Sequence, residues 1–263
     1  SAGQKIQFNN KEIIIEELKK YDFSKAEITI FAAGSEIAKN WVPSSAKKTI
    51  VIDNSKQFRM DKDVPLIVPE VNPNDLKKHK NIIANPNCST IQLVLPLKPL
   101  HDKYKIKRVI VSTYQAVSGA GKLSVDELFS QTKDFLDNKK VESRNFTKQI
   151  AFNLIPHIDI FVKDGYTKEE WKMENETKKI LDKNIGLSAT CVRVPVKTSH
   201  SESVNIEFEN KYNLEEVKDI LKKTPGCKVI NEEKDGGYIT PIEAENQHLT
   251  FISRIRKDNS NKK

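Results

Sequence analysis

The run Asn85-Pro86-Asn87-Cys88-Ser89-Thr90 stands directly before the apolar stretch 91–95. That spacing puts a thiol at or near the N-terminus of a helix, where unsatisfied N–H groups and the macrodipole favour thiolate, the nucleophilic form of cysteine. The ordinary alternative is a buried structural cysteine. His200 lies in Lys197-Thr198-Ser199-His200-Ser201-Glu202, just before an alternating strand. A side chain there projects from the end of a sheet and can shuttle a proton to and from a cysteine adduct; a histidine that merely hydrogen-bonds would look the same.

Of 44 basic residues only six are Arg, so Arg59 and Arg193 stand out. A guanidinium fork holds carboxylate or phosphate bidentately, which Lys cannot imitate, while a structural ion pair is the competing reading. Glu169 and Lys172 are three apart on an expected helix and share a face, an arrangement that is usually solvated. Gln115 and the turn Ser118-Gly119-Ala120-Gly121 follow a strand, where exposed backbone N–H groups could hold a developing oxyanion or simply close a tight turn.

Several elements are needed to bring such groups together. Residues 27–33 form a short apolar run ending in Gly34-Ser35, which reads as a buried strand entering a turn. Residues 49–53 repeat the pattern, and the segment between is long enough for a crossover, so a parallel α/β sheet is expected. Residues 107–112, 187–194 and 203–208 read as further strands, the last alternating at Val204, Ile206 and Phe208. Helices are expected over 123–136 and 214–222, and from the capping box Thr167-Lys168-Glu169-Glu170 to about Leu181. Pro96 falls inside the helix that Cys88 would open, at a cost of about 3 kcal/mol, and is expected to kink or end it. The polar tail 254–263 should fray.

A net charge of +8 and a pI near 9.1 would attract anions. The lysines are interspersed with acids as on a solvated surface, and no aromatic-interleaved basic motif stacks on bases, so nucleic acid is not the expected partner. Cys88, Cys191 and Cys227 are odd in number, far apart and without C-x-x-C spacing, which argues against a disulfide framework or a metal site and fits a reducing cytoplasm. No apolar run approaches membrane-spanning length, and residues 1–5 lack signal-peptide architecture.

In order along the chain, the strings 64–72 (Val-Pro-Leu-Ile-Val-Pro-Glu-Val-Asn), 85–92, 112–121 (Ser-Thr-Tyr-Gln-Ala-Val-Ser-Gly-Ala-Gly), 150–153 (Ile-Ala-Phe-Asn) and 189–196 (Ala-Thr-Cys-Val-Arg-Val-Pro-Val) resemble the aspartate-semialdehyde dehydrogenase family. The resemblance implies that Cys88 attacks the aspartyl carbonyl, that His200 is the acid/base and that Gln115 orients the acyl intermediate. It also implies that Arg193 grips the substrate carboxylate, that Glu169 meets its amino group, and that Arg59, Lys172 and Asn87 bind phosphate. The implied reaction is NADP-dependent reductive dephosphorylation of aspartyl phosphate to aspartate semialdehyde, feeding lysine (diaminopimelate), threonine and methionine synthesis in a homodimeric enzyme. Ser1, Ala33, Gly34, Ser118 and Gly119 fall at its cofactor-binding positions.

Two pieces of the family pattern are missing from these 263 residues: the opening Gly-x-x-Gly-x-x-Gly turn that holds the pyrophosphate, and a long closing helix. The expected architecture is therefore an α/β chain with an incomplete Rossmann-like NADP domain over 1–86 and an α+β catalytic and dimerisation domain with a large mixed sheet over 87–263. Exposed apolar surface and weak or absent NADP binding are expected for the first part. A truncated or decayed member without dehydrogenase activity, kept as a substrate-binding or dimer-forming remnant, is the alternative.

Overall fold

The computed structural model describes residues 2–261, so Ser1, the first of the expected cofactor positions, lies outside the described residues. The chain divides into two compact units, residues 1–65 with 76–85, and residues 66–75 with 86–263. The main division falls beside the 86/87 boundary read from the sequence, while the stretch 66–75 belongs with the second unit.

The first unit opens with a hairpin, β1 (Lys5–Phe8) and β2 (Lys11–Ile14). Its two-residue turn is Asn9-Asn10, both at positive φ, the conformation that matches the twist of hairpin strands and that asparagine tolerates. Then follow β3 (Ile28–Phe31), helix α1 (Ser35–Ser45), β4 (Ile50–Asp53) and β5 (Ile82–Ala84). The three strands are parallel in the order β3-β4-β5, with α1 as the β3–β4 crossover. Phe23, Phe31, Ala38, Val42, Ala46 and Val51 make the core beneath them. The expectation of a buried first strand is corrected: Ile28 is 58% and Ile30 70% exposed, because β3 is an edge strand and only its Phe31 side meets α1 and the core.

The second unit is built on α2 (Cys88–Tyr104), β6 (Ile106–Gln115), α3 (Lys122–Leu136), α4 (Lys168–Ile180), β7 (Gly186–Arg193), β8 (Ser201–Phe208), α5 (Leu214–Lys223) and the short parallel pair β9 (Cys227–Val229) and β10 (Thr250–Ile252). β6 is the middle of a mixed sheet, with β7 parallel on one side and β8 antiparallel on the other. Helix α2 buries Leu93, Leu97, Leu100 and Tyr104, spaced along one face, against Val109 and Val111 of β6, Met173 of α4 and Cys191 of β7. Truncating one of those leucines to Ala would cost about 2–5 kcal/mol. This packing corrects the expectation for Pro96: α2 continues through both Pro96 and Pro99 to Tyr104, since the lost hydrogen bonds are outweighed by a buried face. The tail is also better held than its composition suggests. Asn231 accepts from the Ile255 N–H at 2.6 Å, and Asp258 accepts from Asn205 of β8 at 2.5 Å.

Candidate active site

Asn87 is the N-cap of α2: its Oδ1 accepts from the backbone N–H of Ser89 at 3.0 Å and of Thr90 at 3.3 Å. That cap makes Cys88 the first residue of the helix, with an exposed thiol. The macrodipole at this position favours the thiolate.

β6 and β7 run parallel with Gln115 and Arg193 in register, so both strands deliver a long polar side chain at their C-terminal ends. The main chain of Ala116, just beyond, is shared. Its N–H donates to Nδ1 of His200 at 3.0 Å, and its carbonyl accepts from Nη1 of Arg193 at 2.7 Å. Because Nδ1 is an acceptor, neutral His200 carries its proton on Nε2. Burial, and then the adjacent Arg193 charge, push the imidazole down to about 4, with Glu169 pulling the other way, so His200 is neutral over the physiological range. Arg193 is 5% exposed. Burial lowers its basicity, opposed first by the negative charge of Glu169 and, when ionised, by Cys88 and Cys191, which places Cys88 within the field of the guanidinium.

Helix α4 supplies the carboxylate side. Its start is fixed by the expected capping box, with Thr167 and Glu170 bonded reciprocally. The other Glu170 oxygen accepts from the Cys191 N–H on β7 at 3.0 Å. Glu169 and Lys172 are not solvated: both are buried and meet at 2.8 Å, and Lys172 also reaches Asp159 at 2.9 Å. Oε1 of Glu169 accepts from Asn87 Nδ2 at 2.9 Å and from Gln115 Nε2 at 3.1 Å. Burial alone would raise the Glu169 carboxyl, but Lys172 and the two amides hold it below its ordinary range. Lys172 is likewise held above its ordinary value, burial being outweighed by Glu169 and Asp159.

Gly119 is required by close approach. A Cβ there would lie 2.8 Å from Cε1 and 2.9 Å from Nε2 of His200, and 3.2 Å from Nη1 of Arg193. The position expected to contact cofactor thus packs against the imidazole, and Ser118 lies beside it in the same short 3-10 turn. Ala33 and Gly34 lie in the first unit, at the end of β3, where Gly34 caps α1 at positive φ with no side-chain acceptor and open space beside it. Those bare N–H groups after a parallel strand suit an anionic part of a dinucleotide. Arg59 also lies in the first unit, buried, its Nε on the Asn85 carbonyl at 2.8 Å and Nη2 on that of Asn54 at 3.2 Å.

The second unit therefore brings together Asn87, Cys88, Gln115, Glu169, Lys172, Arg193 and His200. Sequence reading missed Asp159, Glu176, whose Oε2 accepts from the Asn87 N–H at 2.6 Å, and the Ala116 peptide. Glu176 had a signal, since it is seven residues from Glu169 and shares its face. Asp159 and a backbone group had none.

A pair of family models covers most of the chain: semialdehyde dehydrogenase, NAD binding domain, over residues 1–79, and semialdehyde dehydrogenase, dimerisation domain, over residues 97–263. These define a two-part dehydrogenase. Aspartate-semialdehyde dehydrogenase from Aquifex aeolicus is 52% identical over 264 residues, covering 98% of this chain and 78% of the relative. The crystal structure of aspartate semialdehyde dehydrogenase II from Vibrio cholerae superposes with a TM-score of 0.96 at 43% identity, over 99% of this chain and 78% of that one. The same Vibrio protein complexed with ASA matches with a TM-score of 0.96 at 42% identity, over 99% of this chain and 78% of that one. The chain belongs to the aspartate-semialdehyde dehydrogenase family.

Proposed function

We propose that this chain catalyses the NADP-dependent reductive dephosphorylation of aspartyl phosphate to aspartate semialdehyde through a thioester on Cys88. The observation that carries the reading is the capped helix start, which presents an exposed thiol within the field of Arg193, whose guanidinium and the His200 imidazole both bond the main chain of Ala116.

The Cys88 thiolate attacks the acyl carbon; the C–S bond forms as the C–O bond to phosphate breaks, and phosphate leaves. Arg193 holds the substrate carboxylate bidentately, and Glu169, kept ionised, faces the substrate ammonium. Gln115, tied between Thr113 and Glu169, orients the acyl group. His200 offers Nε2–H to the carbonyl oxygen and steadies the negative charge that develops on it. Lys172 and Arg59 are the cations assigned to phosphate, with Asn87 holding the helix start.

NADPH, when bound, supplies the hydride that takes the thioester to the aldehyde level. Ala33, Gly34, Ser118 and Gly119 are the described positions assigned to it; a neighbour of 25% identity from Candida albicans is described with NADP. A homodimer formed through the second domain, a cytoplasmic setting for three free thiols and a place in lysine, threonine and methionine synthesis complete the reading. The test is phosphate-dependent oxidation of aspartate semialdehyde with NADP, run beside Cys88→Ala. Activity lost in the variant supports the proposal; equal rates in both would remove Cys88 from it.

A further inference from the structure

The Cys88 helix and the His200 strand are joined by a side-chain contact beyond the reacting groups themselves. Gln92 lies one turn along α2 from Cys88, on the same side of the helix. Its Nε2 donates to Oε1 of Glu202 at 2.8 Å. Glu202 is two residues past His200, inside β8, and stands opposite Thr113 of β6. Directly opposed residues of an antiparallel pair share a sheet face, so Glu202 sits on the face of the buried Thr113, which in turn donates to Gln115 at 3.0 Å.

We infer that the Gln92–Glu202 hydrogen bond is a positioning contact, which sets the helix start bearing Cys88 at its working distance from the Arg193–His200 pair. The inference rests on the reading of Cys88 as the nucleophile. Two geometric facts support it. The bond crosses from α2 to β8 one helical turn past Cys88 and two residues past His200, and it is the amide of a helix, not a lysine, that faces the carboxyl. Burial pushes the Glu202 carboxyl up to about 8, against the pull of the Gln92 amide. Near neutrality the group is therefore mostly a neutral acid, and a glutamine is its close mimic.

Thiolate reactivity reports the placement without needing turnover, because it follows the local field at the sulfur. The rate of Cys88 alkylation by iodoacetamide at neutral pH, located by peptide mass, is compared in the unaltered chain and in Gln92→Leu, Glu202→Leu, Glu202→Gln and the double Leu variant. Thermal midpoints are recorded for each. Each Leu variant is expected to slow alkylation about fivefold, since small misplacement of reacting groups is costly. The double variant should be no slower than either single one, as for two partners of a single contact, and Glu202→Gln should restore the rate. A purely structural role would change midpoints and leave the rescue pattern flat. Should Glu202→Leu fail to fold, Gln92→Leu asks the same question from the helix side. Unchanged alkylation in Gln92→Leu, with Cys88 reacting faster than Cys227 in the unaltered chain, overturns the positioning inference alone. Cys88 reacting no faster than Cys227 overturns the nucleophile reading as well.

Discussion

Asn87 and Glu169 are joined side chain to side chain at 2.9 Å, Nδ2 donating to Oε1. The same asparagine caps α2 through its oxygen, so its two ends do different work, one on the helix and one on a buried carboxylate. Asparagine and aspartate are equally good caps in general, but here they are not interchangeable.

Asn87→Asp would set a second carboxylate against Glu169, and like charges at this distance cannot both stay ionised without a penalty. Thermal midpoints at neutral pH are expected to fall in the order Asn87, Asn87→Ser, Asn87→Asp, with the Asp variant recovering as the pH is lowered and one carboxyl takes a proton. An Asp variant as stable as the Ser variant would refute the argument.

Lys172 is the cation between Glu169 and Asp159. Removing one partner from a buried ionic cluster strands the others, and Lys172→Ala is expected to cost about 3–5 kcal/mol in urea unfolding. A loss below about 1 kcal/mol, the range of an exposed pair, would mean that water reaches the cluster.

Gly119→Ala forces a methyl into the space of the His200 ring. Overpacking of this kind costs about 1–3 kcal/mol in stability, while misplacing an acid/base group is expected to lower kcat about 100-fold. The check is kcat beside the thermal midpoint; a variant of near-normal kcat would show that the loop moves aside.

His200 is held neutral, with its value about 4 in the fold against an ordinary 6.5. The unfolded chain therefore binds the extra proton first. The His200 contribution to stability is full above 6.5 and is lost as pH drops from there toward about 4. His200→Gln should flatten that part of the midpoint-against-pH curve, and an identical slope in both proteins would show that other groups set it.

What could be read in advance follows from how local each signal is. The capping box located α4 to the residue, and with it Glu169 and Lys172. Their burial was not legible, because an i, i+3 pair looks the same in water or in a core; Asp159, 13 residues from Lys172, decides it. The helix start at Cys88 was visible because its signal lies in neighbouring residues, though Asn87 was read as a phosphate ligand and not as the cap it forms. Ile28 and Ile30 misled for the opposite reason: an apolar strand reveals its pleat but not which face is covered. Pro96 obeys a local rule that the tertiary packing of Leu93, Leu97 and Leu100 overrules.

The shared main chain of Ala116 carries a consequence for experiment. Its two hydrogen bonds come from main-chain atoms, so alanine scanning, and any replacement at position 116 other than proline that folds, leaves them in place. Proline, which lacks the N–H, would remove the bond to His200 alone; the bond to Arg193 is reachable only by chemistry on the chain itself. An ester in place of the Ala116 amide deletes the donor to His200, and an ester at the next linkage weakens the carbonyl that receives Arg193. Semisynthesis could thus separate the tuning of the imidazole from the seating of the guanidinium, without the added ring that a proline would bring.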